Sequence, residues 1–171
     1  MSNQPILKIT DLQQVGIVVR DLDRAMRGLW ETFGIGPWNV VINGPERLYD
    51  TRYLGKPGRF GYKVAKHQNK LGSGFEIELI EPLGGPSIYT DFLDRYGEGV
   101  QHIGRQLAAS RDEFNTMVRK LESGGFPCTM SGRNAFCSFA YFDAASVLHT
   151  VLEVIWIDPE GKSVPDRVFP D

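Results

Sequence analysis

The chain repeats itself, and this repeat constrains its fold more than any other feature. Leu12-Gln13-Gln14-Val15-Gly16-Ile17 and Val100-Gln101-His102-Ile103-Gly104-Arg105 are strand-like stretches of one design. A helix-like stretch follows each. In the first, Leu22, Ala25, Met26, Leu29, Trp30 and Phe33 recur at helical spacing, with Asp21 as N-cap and Gly34 as stop. In the second, Phe114, Met117, Val118 and Leu121 form the stripe. Ser110 and Glu113 make a capping box there, and Gly124 and Gly125 end the helix.

Three strand-like segments follow each helix: Trp38 to Ile42, Phe60 to Lys66 and Phe75 to Ile80, then Phe126 to Met130, Phe136 to Phe142 and Thr150 to Ile155. The expected fold is therefore α+β, with two βαβββ modules. Residues 1–80 form the first module and 100–157 the second. Residues 81–99 link them through a short helix with Tyr89, Phe92, Leu93 and Tyr96 on one face. Residues 158–171 carry Pro159, Pro165 and Pro170 and are read as an irregular tail. The long stretch from Asn43 to Arg59 holds Gly44, Pro45, Gly55, Pro57 and Gly58 and reads as a functional loop such as a lid. Two such modules suggest two sheets that curl together into an open cup, with helices outside and a ligand inside.

Alternation along each strand identifies the side chains that face the cup. Val15, Ile17 and Val19 pack on the first helix, which turns Gln14 inward. Ile103 and Leu107 face the helix side, which turns His102 inward. Leu152, Val154 and Trp156 pack outward and leave Glu153 inside. Phe75, Ile77 and Leu79 share one face, Glu76 and Glu78 the other. A buried carboxylate is expensive unless it is paired or binds a metal. One amide oxygen, two carboxylates and one imidazole suit a divalent ion, and four protein ligands on an octahedral ion leave two adjacent positions for a chelating substrate. Taken singly, each of these residues is more simply a strand polar group. Their matched positions in the two repeats, Gln14 with His102 and Glu78 with Glu153, favour the metal reading.

On these residues the chain resembles the glyoxalase, bleomycin-resistance and dioxygenase superfamily, whose fold is the vicinal oxygen chelate fold, from about Leu12 to Pro159. The segments Glu78-Leu79-Ile80-Glu81-Pro82-Leu83, Phe92-Leu93 and Gly97-Glu98-Gly99-Val100-Gln101-His102-Ile103 are similar to methylmalonyl-CoA epimerases. The resemblance implies one divalent ion on Gln14, Glu78, His102 and Glu153. Gln at the first ligand position resembles the animal and yeast type of glyoxalase I, which implies zinc, with cobalt, nickel or manganese as substitutes. It also implies proton abstraction next to a carbonyl through an enediolate, in an isomerase or lyase, with Glu153 as the base. Tyr62, Arg59 and Arg47 are candidate substrate contacts. The chain departs from the family at three places. The third strand has no acid where the epimerases carry a second catalytic glutamate. Val18 and Pro82 stand where glyoxalase I has an Arg and an Asn for glutathione. The competing reading is a non-catalytic binding or resistance protein of the same fold.

Composition narrows the partners. The net charge is -2 from 19 basic and 21 acidic residues, with no basic stripe, so nucleic acid is not expected. The apolar runs are too short to span a membrane, and Met1 to Lys8 lacks a signal-peptide core. Cys128 and Cys137 form no CxxC and read as two free thiols, or as one bridge between neighbouring strands. A cytoplasmic homodimer acting on a small carbonyl compound is expected.

Overall fold

The computed structural model describes residues 4–68, 71 and 74–170; residues 1–3 of the N-terminal stretch read above lie outside them. The first module runs β1 (Gln14–Val18), α1 (Leu22–Phe33), β2 (Trp38–Asn43), β3 (Tyr49–Tyr53), β4 (Lys56–Pro57), β5 (Gly61–His67) and β6 (Glu76–Gly84). After α2 (Ile88–Tyr96) come β7 (Gly99–Gln106), α3 (Arg111–Ser123), β8 (Cys128–Arg133), β9 (Cys137–Asp143), α4 (Ala145–Leu148), β10 (Val151–Ile157) and β11 (Arg167–Phe169).

The helix ends form as their sequences dictate. The Asp21 carboxylate accepts from the Arg24 N–H at 2.9 Å, and Gly34 takes a left-handed φ of 67° to close α1. The Ser110 hydroxyl accepts from Glu113 N–H at 3.2 Å, and the Glu113 carboxylate reaches back to Ala109 N–H at 2.7 Å.

All eleven described strands join one open sheet, in the order β11-β2-β5-β6-β1-β7-β10-β9-β8-β3-β4. The expected two sheets are thus one, continuous through the antiparallel pair β1–β7. The halves mirror each other about this pair. β1 runs parallel to β6 and β7 parallel to β10, and the remaining neighbours are antiparallel. Five strand steps separate β5 from β9, which is about 24 Å in a flat sheet. Yet the rings of Tyr62 and Phe139 lie 6.1 Å apart, so the halves bend to face each other across a shared interior.

Three apolar clusters fill the molecule. One joins Leu22 and Met26 of α1 to Val19, Trp38, Val40 and Leu79. A second joins Phe114 and Leu121 of α3 to Leu152, Val154 and Trp156. Both follow the outward faces read from alternation. The third occupies the interior, with Tyr62, Tyr89, Phe139 and Tyr141 at its centre. α2 supplies Ile88, Tyr89 and Leu93 to it, so the linker helix plugs one end of the cup.

Two segments differ from expectation. The stretch read as a loop from Asn43 to Arg59 holds the hairpin β3–β4, and β3 pairs with β8 to extend the sheet. The tail read as irregular contains β11, which pairs with β2. Asp166 fixes the tail by accepting from Ile42 N–H at 2.7 Å and from the Arg47 guanidinium at 2.9 Å. Both cysteines are free thiols. Among the described residues, no helix is long and apolar enough to cross a membrane.

Candidate metal centre

The four residues singled out by alternation converge. Gln14 pairs with Gly104 and Gly16 with His102 across β1–β7, so the polar residue of each strand faces the glycine of the other. Glu78 stands beside Gly16 on β6, and Glu153 stands beside Gly104 on β10. The two glycines make room for the cluster. A Cβ on Gly16 would lie 1.8 Å from His102 Cε1, and one on Gly104 would lie 2.7 Å from Gln14 Cγ.

The cluster is dry. Gln14, Glu78, His102 and Glu153 are 3%, 6%, 0% and 4% exposed. One ligand atom from each of Glu78, His102 and Glu153 lies within 4.8 Å of the others. The Gln14 amide nitrogen donates to Glu153 Oε2 at 2.6 Å and to Glu78 Oε2 at 3.4 Å. The Gln101 side-chain carbonyl lies 2.8 Å from His102 Nδ1 and accepts its N–H, which turns Nε2 toward the carboxylates. Nε2 is buried and makes no hydrogen bond, with the carboxylates of Glu78 and Glu153 at 3.4 and 3.5 Å.

A residue absent from the sequence reading completes the site. Lys66, directly opposite Glu78 in the β5–β6 register, places Nζ 3.0 Å from Glu78 Oε1 and 3.2 Å from Glu76 Oε2. Alternation along β5 signals it, since Tyr62, Val64 and Lys66 share a face. Burial raises the Glu78 pKa, but Lys66 and then His102 outweigh it and hold the carboxyl at about 2. Burial lowers the His102 pKa, but Glu153 and Glu78 outweigh it and push the imidazole up to about 9. Burial also pushes the hydroxyls of Tyr62, Tyr89 and Tyr141 well up, so all three stay protonated.

These residues fit a divalent ion on two grounds. His102 Nε2 is a buried ring nitrogen without a hydrogen-bond partner, and the Gln101 contact on Nδ1 fixes the ring so that Nε2 faces Glu78 and Glu153. Three carboxylates, the buried Glu78 and Glu153 and the half-buried Glu76, face the ammonium of Lys66 and the imidazole of His102, so negative charge is in excess even with the imidazole protonated, and a cation balances it. A half-turn of the Gln14 amide would bring its carbonyl oxygen to the same centre.

A cavity of about 500 Å³ opens beside the cluster, lined among others by Gln14, Val64, Lys66, Glu76 and Ile155. Two of its lining residues touch the cluster directly: Gln14 donates to Glu153, and Lys66 pairs with Glu78. The tail contributes Gly161, Ser163 and Pro165 to the lining. The structure separates the other three candidates from this cavity. Tyr62 is buried in the aromatic interior, its ring 5.4 Å from Tyr89. Arg47 is exposed and engaged by Asp166, and Arg59 is exposed.

The family model of the Glyoxalase/Bleomycin resistance protein/Dioxygenase superfamily matches residues 13–141, more than half of the chain. The chain belongs to this superfamily. Gln14, Glu78 and His102 fall within the match, whereas Glu153 lies beyond it and rests on the structure. Among solved structures, the chain is similar to methylmalonyl-CoA epimerase from Mycobacterium tuberculosis. The identity is 23%, the TM-score 0.61, and the match covers 88% of this chain and 90% of that one. A variant of the Streptomyces coelicolor methylmalonyl-CoA epimerase in complex with 2-nitronate-propionyl-CoA is 19% identical, with a TM-score of 0.60 over 88% of this chain and 99% of that one. A Bacillus halodurans protein titled hypothetical is 16% identical, with a TM-score of 0.52 over 90% and 98%. At these identities the likeness is one of fold. No curated protein sequence matches.

Proposed function

We propose that this protein is a metal-dependent isomerase or lyase that moves a proton on the carbon next to a carbonyl. The observation that carries the proposal is the buried Glu78–His102–Glu153 cluster, with His102 Nε2 unpartnered, in contact with Gln14 and Lys66 of a substrate-sized cavity. Membership of the superfamily and the epimerase fold neighbours support it.

Gln14, Glu78, His102 and Glu153 would hold one divalent ion, with zinc the best match to this mixed nitrogen and oxygen set. A bound ion would polarise the substrate carbonyl and stabilise the negative charge that develops on its oxygen. The two carboxylates then differ in role. Lys66 grips the outer oxygen of Glu78 at 3.0 Å and suppresses its basicity, which suits a ligand. Glu153 carries no ammonium of its own: it accepts from the Gln14 amide at 2.6 Å and faces the His102 ring at 3.5 Å, which leaves it the carboxylate for proton transfer. Glu153 takes the proton from the carbon next to the carbonyl and returns it to the product. Gln101 keeps His102 in one tautomer, and the aromatic plug behind it excludes water.

Metal-loaded protein in deuterated buffer, screened against 2-oxo compounds and acyl thioesters by NMR, tests this reading. Deuterium uptake that is lost in Glu153→Gln and reduced less in Glu78→Gln supports it. Full exchange in Glu153→Gln refutes the assigned base, and a parent protein that exchanges no carbonyl compound favours a non-catalytic binding protein of this fold.

A further inference from the structure

The cavity beside the cluster shows what kind of molecule it takes. Val41, Val64, Phe136 and Ile155 supply its apolar lining. Its polar lining is mostly neutral amides, among them Gln13, Asn39, Gln68 and Gln106, and its one carboxylate, Glu76, is paired with Lys66. Among the described residues that line it there is no arginine. His67 lines it too, but its Nε2 accepts from Ile77 N–H at 2.9 Å and carries no proton there. The fixed cation is Lys66.

An ammonium has three N–H donors. Glu78 Oε1 takes one at 3.0 Å and Glu76 Oε2 a second at 3.2 Å. The third is left for the cavity, into which the side chain remains 36% exposed. One charged donor, with Glu76 and Glu78 on its other two N–H groups and neutral amides around the cavity, matches one carboxylate. A pyrophosphate-bearing ligand such as a coenzyme A thioester is normally held by several guanidinium or clustered backbone N–H donors, and this lining has none of the former.

We propose that the substrate is a compact carbonyl compound bearing one carboxylate, and that Lys66 is the residue that holds this carboxylate. The inference rests on the metal-dependent reading above for the carbonyl, and on the cavity alone for the carboxylate.

Binding of acetoacetate, methyl acetoacetate and acetoacetyl-CoA, measured by NMR titration with and without zinc, tests it in the parent, Lys66→Met and Lys66→Arg. The parent should prefer acetoacetate to both the ester and the thioester by at least about tenfold, the scale of one charge-assisted hydrogen bond. Lys66→Met should bind acid and ester alike, and Lys66→Arg should keep the preference. A parent that binds the ester or the thioester at least as tightly as the acid overturns the proposal. So does a Lys66→Met protein that keeps the preference, because the carboxylate would then sit elsewhere. Should Lys66→Met fail to fold, the parent's own ranking of the three probes still decides. A zinc titration of the same proteins reads the other claim separately. A parent that takes up no zinc refutes the metal-dependent reading, while its acid-over-ester preference without zinc still reports on Lys66.

Discussion

Gly16→Ala strikes the site through geometry alone, without removing any ligand. The new Cβ would lie 1.8 Å from His102 Cε1, 2.1 Å from Nε2 and 2.3 Å from Nδ1. Ordinary contact begins at 3.4 Å, so the imidazole must retreat by about 1.6 Å, the difference between 3.4 and 1.8 Å. It has no free space for that. The ring is 0% exposed, its edge stands against Tyr141 at 5.1 Å between centroids, and Gln101 holds Nδ1 at 2.8 Å. Overpacking a core costs about 1–3 kcal/mol. Losing the Gln101 hydrogen bond adds about 1 kcal/mol. The expected destabilisation is therefore about 2–4 kcal/mol, which in a chain of this size lowers Tm by roughly 4–16 °C. A displaced Nε2 should also weaken zinc binding by more than the roughly 10–100-fold that follows loss of an outer-shell partner. Gly104→Ala meets only the Gln14 and Glu153 side chains, at 2.7 and 2.9 Å, and should be milder on both counts. Gly28→Ala is the control. Nothing lies within 4 Å of its Cβ in the middle of α1, and it should stabilise by about 0.5–1 kcal/mol. Denaturant unfolding and calorimetric zinc titration of the three variants give the order. A Gly16→Ala protein as stable as Gly28→Ala, or one that binds zinc like the parent, refutes the reasoning.

His102 should lose a proton when zinc binds, because its pKa of about 9 lies above neutral pH. Calorimetry in buffers of different ionisation enthalpy should count about one proton at pH 7.5, with affinity rising about tenfold per pH unit until about pH 9 and then levelling; a count of zero contradicts this. The same raised pKa stabilises the metal-free fold fully below about 6.5, and this contribution is lost as pH rises through about 9, so urea midpoints of metal-free protein should fall over that range. Glu153→Gln should keep much of its zinc and lose solvent-proton exchange by roughly 10²- to 10⁴-fold, whereas Glu78→Gln should be milder in exchange; equal losses would mean that the two carboxylates share the proton transfer.

Much of the site was legible because strands alternate. The period of two placed Gln14, Glu78, His102 and Glu153 on the inner face, and the repeat brought those faces together about β1–β7. Pair contacts across distant strands were not legible. Lys66 belongs to the site through its register partner Glu78, which only the β5–β6 pairing reveals. Gly16 and Gly104 matter through the side chains of neighbouring strands, so their role also waited on register. The hairpin β3–β4 was hidden because Asp50 inside β3 and Leu54 in the turn adopt positive φ, and the strands themselves are largely exposed, so no apolar period marked them. Arg47 looked like a substrate contact because it is a cation in a long loop. Its partner, Asp166, is 119 residues away in sequence.

The central claim is that four buried side chains on β1, β6, β7 and β10 hold one divalent ion. Elemental analysis of parent and His102→Ala proteins, each stripped with chelator and then reconstituted with zinc, tests it directly. The account predicts about one zinc per chain in the parent and close to none in His102→Ala. A parent stoichiometry near zero with zinc, cobalt, nickel and manganese alike, or a His102→Ala protein that retains the ion, would contradict it.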